Sequence, residues 1–366
     1  MIKNILLLIL PFILSCSLDT KSGIWTQDKK ISKVDINKTK VFKEKKILEK
    51  EFNQNLKLKI LKNFDQKSNE LTNNLGVIKF INNTSKFSKF KFSKLDNFDY
   101  FEPELIFGKD NFVFFDDKGN LIKFDSNFKI IWKKNFYSKQ EKKMKPVLTL
   151  SKQGKYLVII DNIAKIYVVD FNSGNLIWSK RNQNPFNSQI KIFDNKIYVV
   201  DVNNILRCLS LLDGSEIWKF NSENTFLKSS KRNSLIINNN IVYFNNSIGD
   251  VIAINANDGS LFWQTPTQSS DIYENSFSLI TSDLVAKNNN LIFSNNRNEF
   301  YSMSLMNGVM NWKQDINSSV RPVFFGDLIF TISDEGFFVV LDKNTGSIIR
   351  ITNIFNNLNI KKRKKI

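Results

Sequence analysis

Histidine is absent from this chain. That removes the commonest general base and the commonest metal ligand. Thiols are almost as scarce: in 366 residues only Cys16 and Cys208 carry one. Cys16 has its own use, described below, so no intrachain disulfide is expected. Cys208 lies in the alternating run ILRCLSL and reads as a small buried hydrophobe rather than a nucleophile. Arginine occurs only at positions 181, 207, 232, 297, 321, 350 and 363, although 53 basic residues outnumber 35 acidic ones for a formal charge of +18. Specific recognition of phosphates and bases favours arginine forks, so a lysine surplus is a poor sign of nucleic-acid binding. The surplus has two readings: attraction to an anionic surface, or the bias of an AT-rich coding sequence, since Lys, Asn, Ile and Phe are all abundant. A long apolar run is also missing. The one at residues 5–14 is too short to span a bilayer as a permanent helix.

What the chain does have is a repeat. A glycine is followed four residues later by tryptophan in NSGNLIW (Gly174, Trp178), LDGSEIW (Gly214, Trp218), NDGSLFW (Gly259, Trp263) and MNGVMNW (Gly308, Trp312). A fifth copy, NTGSIIR, keeps Gly346 and puts Arg350 in place of the ring. The glycines stand 40, 45, 49 and 38 residues apart, a period typical of repeat architectures. Within one unit, NKIYVVDVNNILRCLSLLDGSEIWKF (195–220) contains three strand-like segments split by turn residues, and QIKIF (189–193) supplies a fourth. Four short antiparallel strands per roughly 40 residues is the make-up of a propeller blade. The expected fold class is therefore all-β, a β-propeller of four-stranded antiparallel blades. Six regular units fall at about 104–136, 145–181, 186–221, 227–265, 277–315 and 319–354, and a degenerate one begins near residue 75, which makes seven.

The glycine follows Asp, Asn, Ser or Thr in a tight turn that calls for positive φ. The tryptophan then falls on the outermost strand, where its ring can close the seam with the next blade. The first regular unit keeps Trp132 but has Phe128 at the glycine position, so its turn is expected to differ. Asp213, Asp258 and Asp342 recur once per blade and read as turn acids.

Residues 1–16, MIKNILLLILPFILSC, resemble a bacterial lipoprotein signal whose lipobox ends in the acylated cysteine, here Cys16. The resemblance implies removal of 1–15 and anchoring by lipid. Ser17 rather than aspartate follows, which implies delivery to the outer membrane with the chain facing the periplasm. Residues 16–50 read as the lipidated cysteine and a polar tether, with Trp25 isolated in it and residues 41–53 suited to a short helix; 51–354 read as the propeller and 355–366 as a basic tail.

The pattern in VVDFNSGNLIW (168–178) and VVLDKNTGSIIR (339–350) resembles the pyrroloquinoline-quinone-type propeller repeat. Together with the lipobox it is similar to the BamB-type family of outer-membrane protein assembly lipoproteins. That resemblance implies a non-catalytic scaffold with no cofactor, no metal and no small-molecule substrate. The implied partner is the periplasmic part of the central β-barrel assembly protein, with nucleic acid excluded by location. It also implies a binding surface on inter-blade connectors. Two long connectors qualify: ENTFLKSSKRNS (223–234), with Phe226, Leu227 and Lys228, and PTQSSDIYENSFSLITSDL (266–284), with Asp271, Tyr273 and Asp283. The alternative for both is ordinary variable loops, or strand starts whose apolar residues face the core. The alternative for the whole chain is a quinoprotein-like redox enzyme or a ligand-binding propeller lipoprotein. Quinoprotein dehydrogenases resemble the same repeat, but they bind quinone and calcium in a central funnel and usually carry a vicinal cysteine pair, which this chain lacks. Eight blades are expected for the family. Either seven close the ring here, or the sequence is cut short; a strand at 56–61 looks like the one that family members lend to the last blade.

Overall fold

The computed structural model describes residues 51–58, 72–75, 105–223, 231–267 and 279–355. Among them, six four-stranded antiparallel sheets follow one another along the chain, at 106–134, 148–181, 191–221, 235–265, 285–314 and 323–353, here called blades 1 to 6. In every sheet the strands lie side by side in chain order. The degenerate unit and the strand residues 59–61 fall outside the described residues, apart from Leu75. That residue follows a turn at 72–74.

The burial of each strand follows from stacking sheet upon sheet. The second and third strands of blade 2, Tyr156–Asp161 (YLVIID) and Lys165–Asp170 (KIYVVD), are buried on both faces, whereas the fourth, Leu176–Arg181 (LIWSKR), is mostly exposed. A sheet covered on both sides needs continuous apolar runs in its middle strands, and alternation gives way there. Five apolar clusters fill the five described seams, one between each consecutive pair of blades.

The glycine–tryptophan motif lies at these seams. A Cβ added to Gly174 would sit 2.9 Å from the Trp132 ring of the preceding blade. At Gly214, Gly259, Gly308 and Gly346 the nearest atoms of Trp178, Trp218, Trp263 and Trp312 would be 2.7, 2.8, 2.5 and 2.5 Å away. All five glycines have φ between +68° and +77°. Two independent constraints thus meet at one residue: a left-handed turn, and a ring pressed flat on its Cα. The indole N–H completes the seam. Trp178 donates to the carbonyl of Leu211 (2.9 Å), Trp218 to Ala256 (3.2 Å), Trp263 to Leu305 (3.1 Å) and Trp312 to Lys343 (3.1 Å).

A β-bulge aims the ring. In all six blades the register between third and fourth strands shifts just before the tryptophan position, leaving Ile131, Ile177, Ile217, Phe262, Asn311 and Ile349 as the extra residues. Bulges bend a strand and re-aim its side chains. The bulge persists in blade 6, where Arg350 replaces the ring.

The turn acids occupy two places in the repeat. Asp170 and Asp342 close the third strand and accept backbone N–H groups of Asn172 and Ser173, and of Asn344 and Thr345. Asp213 and Asp258 stand just before the glycine and accept from Ser215 and Ser260. These bonds hold the carboxyls below the usual range, that of Asp213 at about 2, with its Ser210 and Ser215 partners as the main cause. In blade 1 the turn is one residue tighter: the N–H of Phe128, itself at φ +63°, bonds to Asp125, where Gly174 reaches back four residues to Asp170.

Among the described residues, the chain before the blades meets them at two places. Phe52 exchanges two backbone hydrogen bonds with Ile351 on the outer edge of blade 6, and Arg350 donates to the carbonyl of Leu56. The arginine that breaks the tryptophan pattern therefore has a partner of its own. Thr72 and Asn73 accept backbone bonds from Ile237 and Ala286 on the innermost strands of blades 4 and 5.

The seam geometry makes Gly214→Ala costly. Left-handed strain together with the clash against Trp178 is expected to lower stability by about 2–4 kcal/mol, read from urea denaturation. Gly154→Ala is the control, because its positive-φ glycine has nothing within 4 Å. It should lose only about 1 kcal/mol, the backbone strain alone.

Candidate interaction face

Antiparallel sheets in chain order divide the loops between two faces. Turns joining strands one to two and three to four, including every glycine–tryptophan turn, lie on one face. Turns joining strands two to three share the other with all inter-blade connectors. Variable connectors on a rigid scaffold are where binding residues concentrate.

On this connector face each two-to-three turn is organised by a buried polar residue. Asp116 accepts from the N–H of Lys118 and Asn120, Asp161 from Ile163 and Lys165, Asp201 from Asn203 and Ile205, and Asn246 from Ile248 and Asp250. The remaining carboxylate oxygens are also engaged. Tyr137 donates to Asp161 at 2.6 Å, Asn120 to Asp116 at 2.6 Å, and Gln264 to Asp250 at 2.9 Å. Burial pushes the Asp161 and Asp250 carboxyls up, against these hydrogen bonds. These acids serve turns and seams, and among the described residues no group of three or more Cys, Asp or Glu is placed to hold a metal ion.

The connector between blades 1 and 2 contains a short helix, Lys139–Lys143, closed by a capping box between Ser138 and Glu141. Glu141 also pairs with Arg181 and, at 3.8 Å, with Lys165. Its carboxyl is held low, chiefly by the Ser138 backbone N–H. The sequence carries the signal for it as SKQE, a serine three residues before a glutamate.

Of the six residues expected to bind a partner, Phe226, Leu227, Lys228, Asp271 and Tyr273 lie outside the described residues. Asp283 is described. Arg321, from the connector before blade 6, grips it with Nε at 2.9 Å and an Nη nitrogen at 2.7 Å. Burial would raise the Asp283 carboxyl; Arg321, Arg232 and Lys231 outweigh it and leave the carboxyl low. Lys231 also ties to the Ser319 carbonyl at 2.6 Å. The foot of the 223–234 connector, the end of the 266–284 connector and the connector at 315–322 are thereby joined by charge. Leu279 and Leu284, at the end of the second long connector, are buried, and Leu284, just before the first strand of blade 5, packs in the cluster between blades 4 and 5. Cys208 is fully buried opposite Trp218, and burial raises its thiol to about 11.

One seam departs from the rest. At the first, Lys123 lies across from Trp132 in the register and sends its Nζ 3.0 Å to the Phe171 carbonyl, 4.1 Å above the Phe171 ring. That carbonyl is the one an indole takes at the other seams. The Trp132 N–H, consequently, has no hydrogen-bond partner. Desolvation lowers the Lys123 pKa, which marks the cost of burying an ammonium there.

Two outcomes follow. Lys123→Val should free the carbonyl for Trp132 and leave urea stability within about 1 kcal/mol of the parent or above it, whereas Val168→Lys at the matching, fully buried position of the second seam should cost about 3 kcal/mol or more. Arg321→Met should cost about 1–2 kcal/mol at pH 7. The Asp283 carboxyl is depressed in the fold. Its contribution is therefore present above the unfolded value of about 4 and lost as pH falls through the folded value. Parent and variant curves should converge as pH falls through that depressed value.

The family model described as "Outer membrane protein assembly factor BamB" matches residues 117–352, well over half of the chain. No curated protein sequence matches. Among solved structures, BamB from Moraxella catarrhalis is similar at a TM-score of 0.58 and 15% identity, covering 68% of this chain and 75% of that one. A europium-containing methanol dehydrogenase is similar at a TM-score of 0.48 and 12% identity, covering 57% and 52%. The quinohemoprotein alcohol dehydrogenase from Comamonas testosteroni reaches 0.43 at 15% identity, covering 56% and 42%. At such identities the structural likeness concerns the fold. The length of the family match, over six blades that repeat one glycine–tryptophan seam, shows that this chain belongs to the BamB family of PQQ-like-repeat propellers.

Proposed function

We propose that this protein is a non-catalytic scaffold that assists assembly of outer-membrane β-barrel proteins. In this reading residues 1–15 are a signal peptide, Cys16 carries the lipid anchor, 16–50 form the tether, 51–354 the propeller and 355–366 a basic tail. The chain is held on the periplasmic face of the outer membrane, and its partner is the periplasmic part of the central barrel-assembly protein. The observation that carries the reading is membership of the BamB family over residues 117–352. The connector face supports it. Three connectors converge on the Asp283–Arg321 pair, and the acids of that face are committed to turns, which suits recognition better than catalysis. The docking surface is assigned to Phe226, Leu227, Lys228, Asp271, Tyr273 and Asp283.

The lipoprotein recovered from detergent-solubilised membranes should co-elute with the central barrel-assembly protein. Joint replacement of Phe226, Leu227 and Lys228 by alanine should reduce that recovery at least tenfold. Titration with pyrroloquinoline quinone and calcium should show no saturable binding and no dye reduction; saturable binding with turnover would transfer the chain to the quinoprotein class. Cys16→Ala should abolish palmitate labelling and release the protein from membranes.

A further inference from the structure

The innermost strand of a propeller blade has a free edge facing the axis, and free edges invite pairing with any extended chain. In blades 4 and 5 these edges are the outer sides of Leu235–Asn238 and Val285–Lys287, which pair on their other side with the second strands of their own sheets. Neither edge is left open. The N–H of Ile237 donates to the Thr72 carbonyl at 2.7 Å, and the N–H of Ala286 donates to the Asn73 carbonyl at 3.1 Å.

Asn74 sits beside them and is read on every side. Its Nδ2 donates to the Leu284 carbonyl at 2.8 Å and to Gln189 Oε1 at 3.1 Å, with Ser234 Oγ within 3.4 Å, while its Oδ1 accepts from Lys191 Nζ at 2.5 Å. These partners belong to the starts of blades 3, 4 and 5. They are tied to one another as well: Leu284 N–H donates to Ser234 Oγ, and Leu235 N–H donates to Gln189 Oε1. The residue is 5% exposed and has φ +61°, a conformation that asparagine tolerates better than most side chains. Leu75 follows and packs against the apolar cluster between blades 5 and 6.

We propose that Asn74 is an axial latch: its carboxamide, from the chain preceding the blades, fastens the axis-facing ends of three consecutive blades and so holds the carbonyls of Thr72 and Asn73 over two of their edges, closing them to pairing with another strand. A carboxamide suits the place because it must donate to a carbonyl and an amide oxygen while accepting from an ammonium. Neither a carboxylate nor an aliphatic side chain does both. With the latch seated, the axial edges of blades 4 and 5 are closed to strand addition by a partner. The latch holds whether or not the chain serves barrel assembly, since it rests on bonds within one molecule.

Hydrogen exchange on the full-length protein, read by mass spectrometry with residue-level fragmentation, tests it. In the parent protein the Ile237 and Ala286 amides should be protected. Asn74→Gly keeps the left-handed backbone accessible and removes the carboxamide. It should speed both amides at least tenfold while leaving the central strands of the same blades unchanged. Asn74→Asp, which retains only the Lys191 contact, should do the same. Should Asn74→Gly fail to fold, Lys191→Met removes a single latch bond and should speed the two amides at least threefold. Exchange of Ile237 and Ala286 at the rate of exposed amides in the parent protein, or unchanged protection in a folded Asn74→Gly, would overturn the latch.

Discussion

The structure depends on one contact repeated five times: an indole lying on the Cα of a glycine in the next blade. Each sheet alone is a four-stranded ribbon with two apolar faces and would not stand in water. The contact brings two sheets together at their outer rim, and the clusters beneath, such as Tyr198, Leu206, Ile252 and Ile254 between blades 3 and 4, fill the space it encloses. Sequence dictates both halves. Glycine is needed because the turn is left-handed and because a Cβ would enter the ring. Tryptophan is needed because it is wide enough to cover the turn and has an N–H for the carbonyl three residues before that glycine. The bulge before the ring makes the two meet.

The fold was legible because this contact has a spacing. Gly174 and Trp178 are four apart in sequence, yet they serve different seams, so a local signature reports a long-range arrangement. The bulge left no comparable trace, since its extra residue is Ile131 in one blade, Phe262 in another and Asn311 in a third. The exceptions were visible as breaks in the pattern but not as contacts. Arg350 replaces a ring in the sequence pattern; its bond to Leu56, nearly three hundred residues earlier, arises only in the folded chain. Lys123 gave no warning at all, because a lysine in an otherwise apolar strand ordinarily points to solvent.

The candidate site was less legible for the same reason in reverse. Connectors carry no period, and their residues are fixed by neighbours distant in sequence. In the sequence Asp283 is an acid near the end of a long connector; its pairing with Arg321, and the Lys231 and Arg232 charges beside it, come from connectors distant in sequence. Gln189 reads as an ordinary strand start and Ser234 as the end of a connector, and only the arrival of Asn74 between them gives them a common task.

The pairing of Phe52 with Ile351 has a mechanical consequence. Tension arriving through the residues before Glu51 meets the end of the last sheet within a few residues, not the beginning of the first. The load is passed across a short bridge, and the blades between are spared from being drawn out one after another. Pulled from that side, the chain is held first at the outer edge of blade 6, like a bucket whose handle is riveted to its rim.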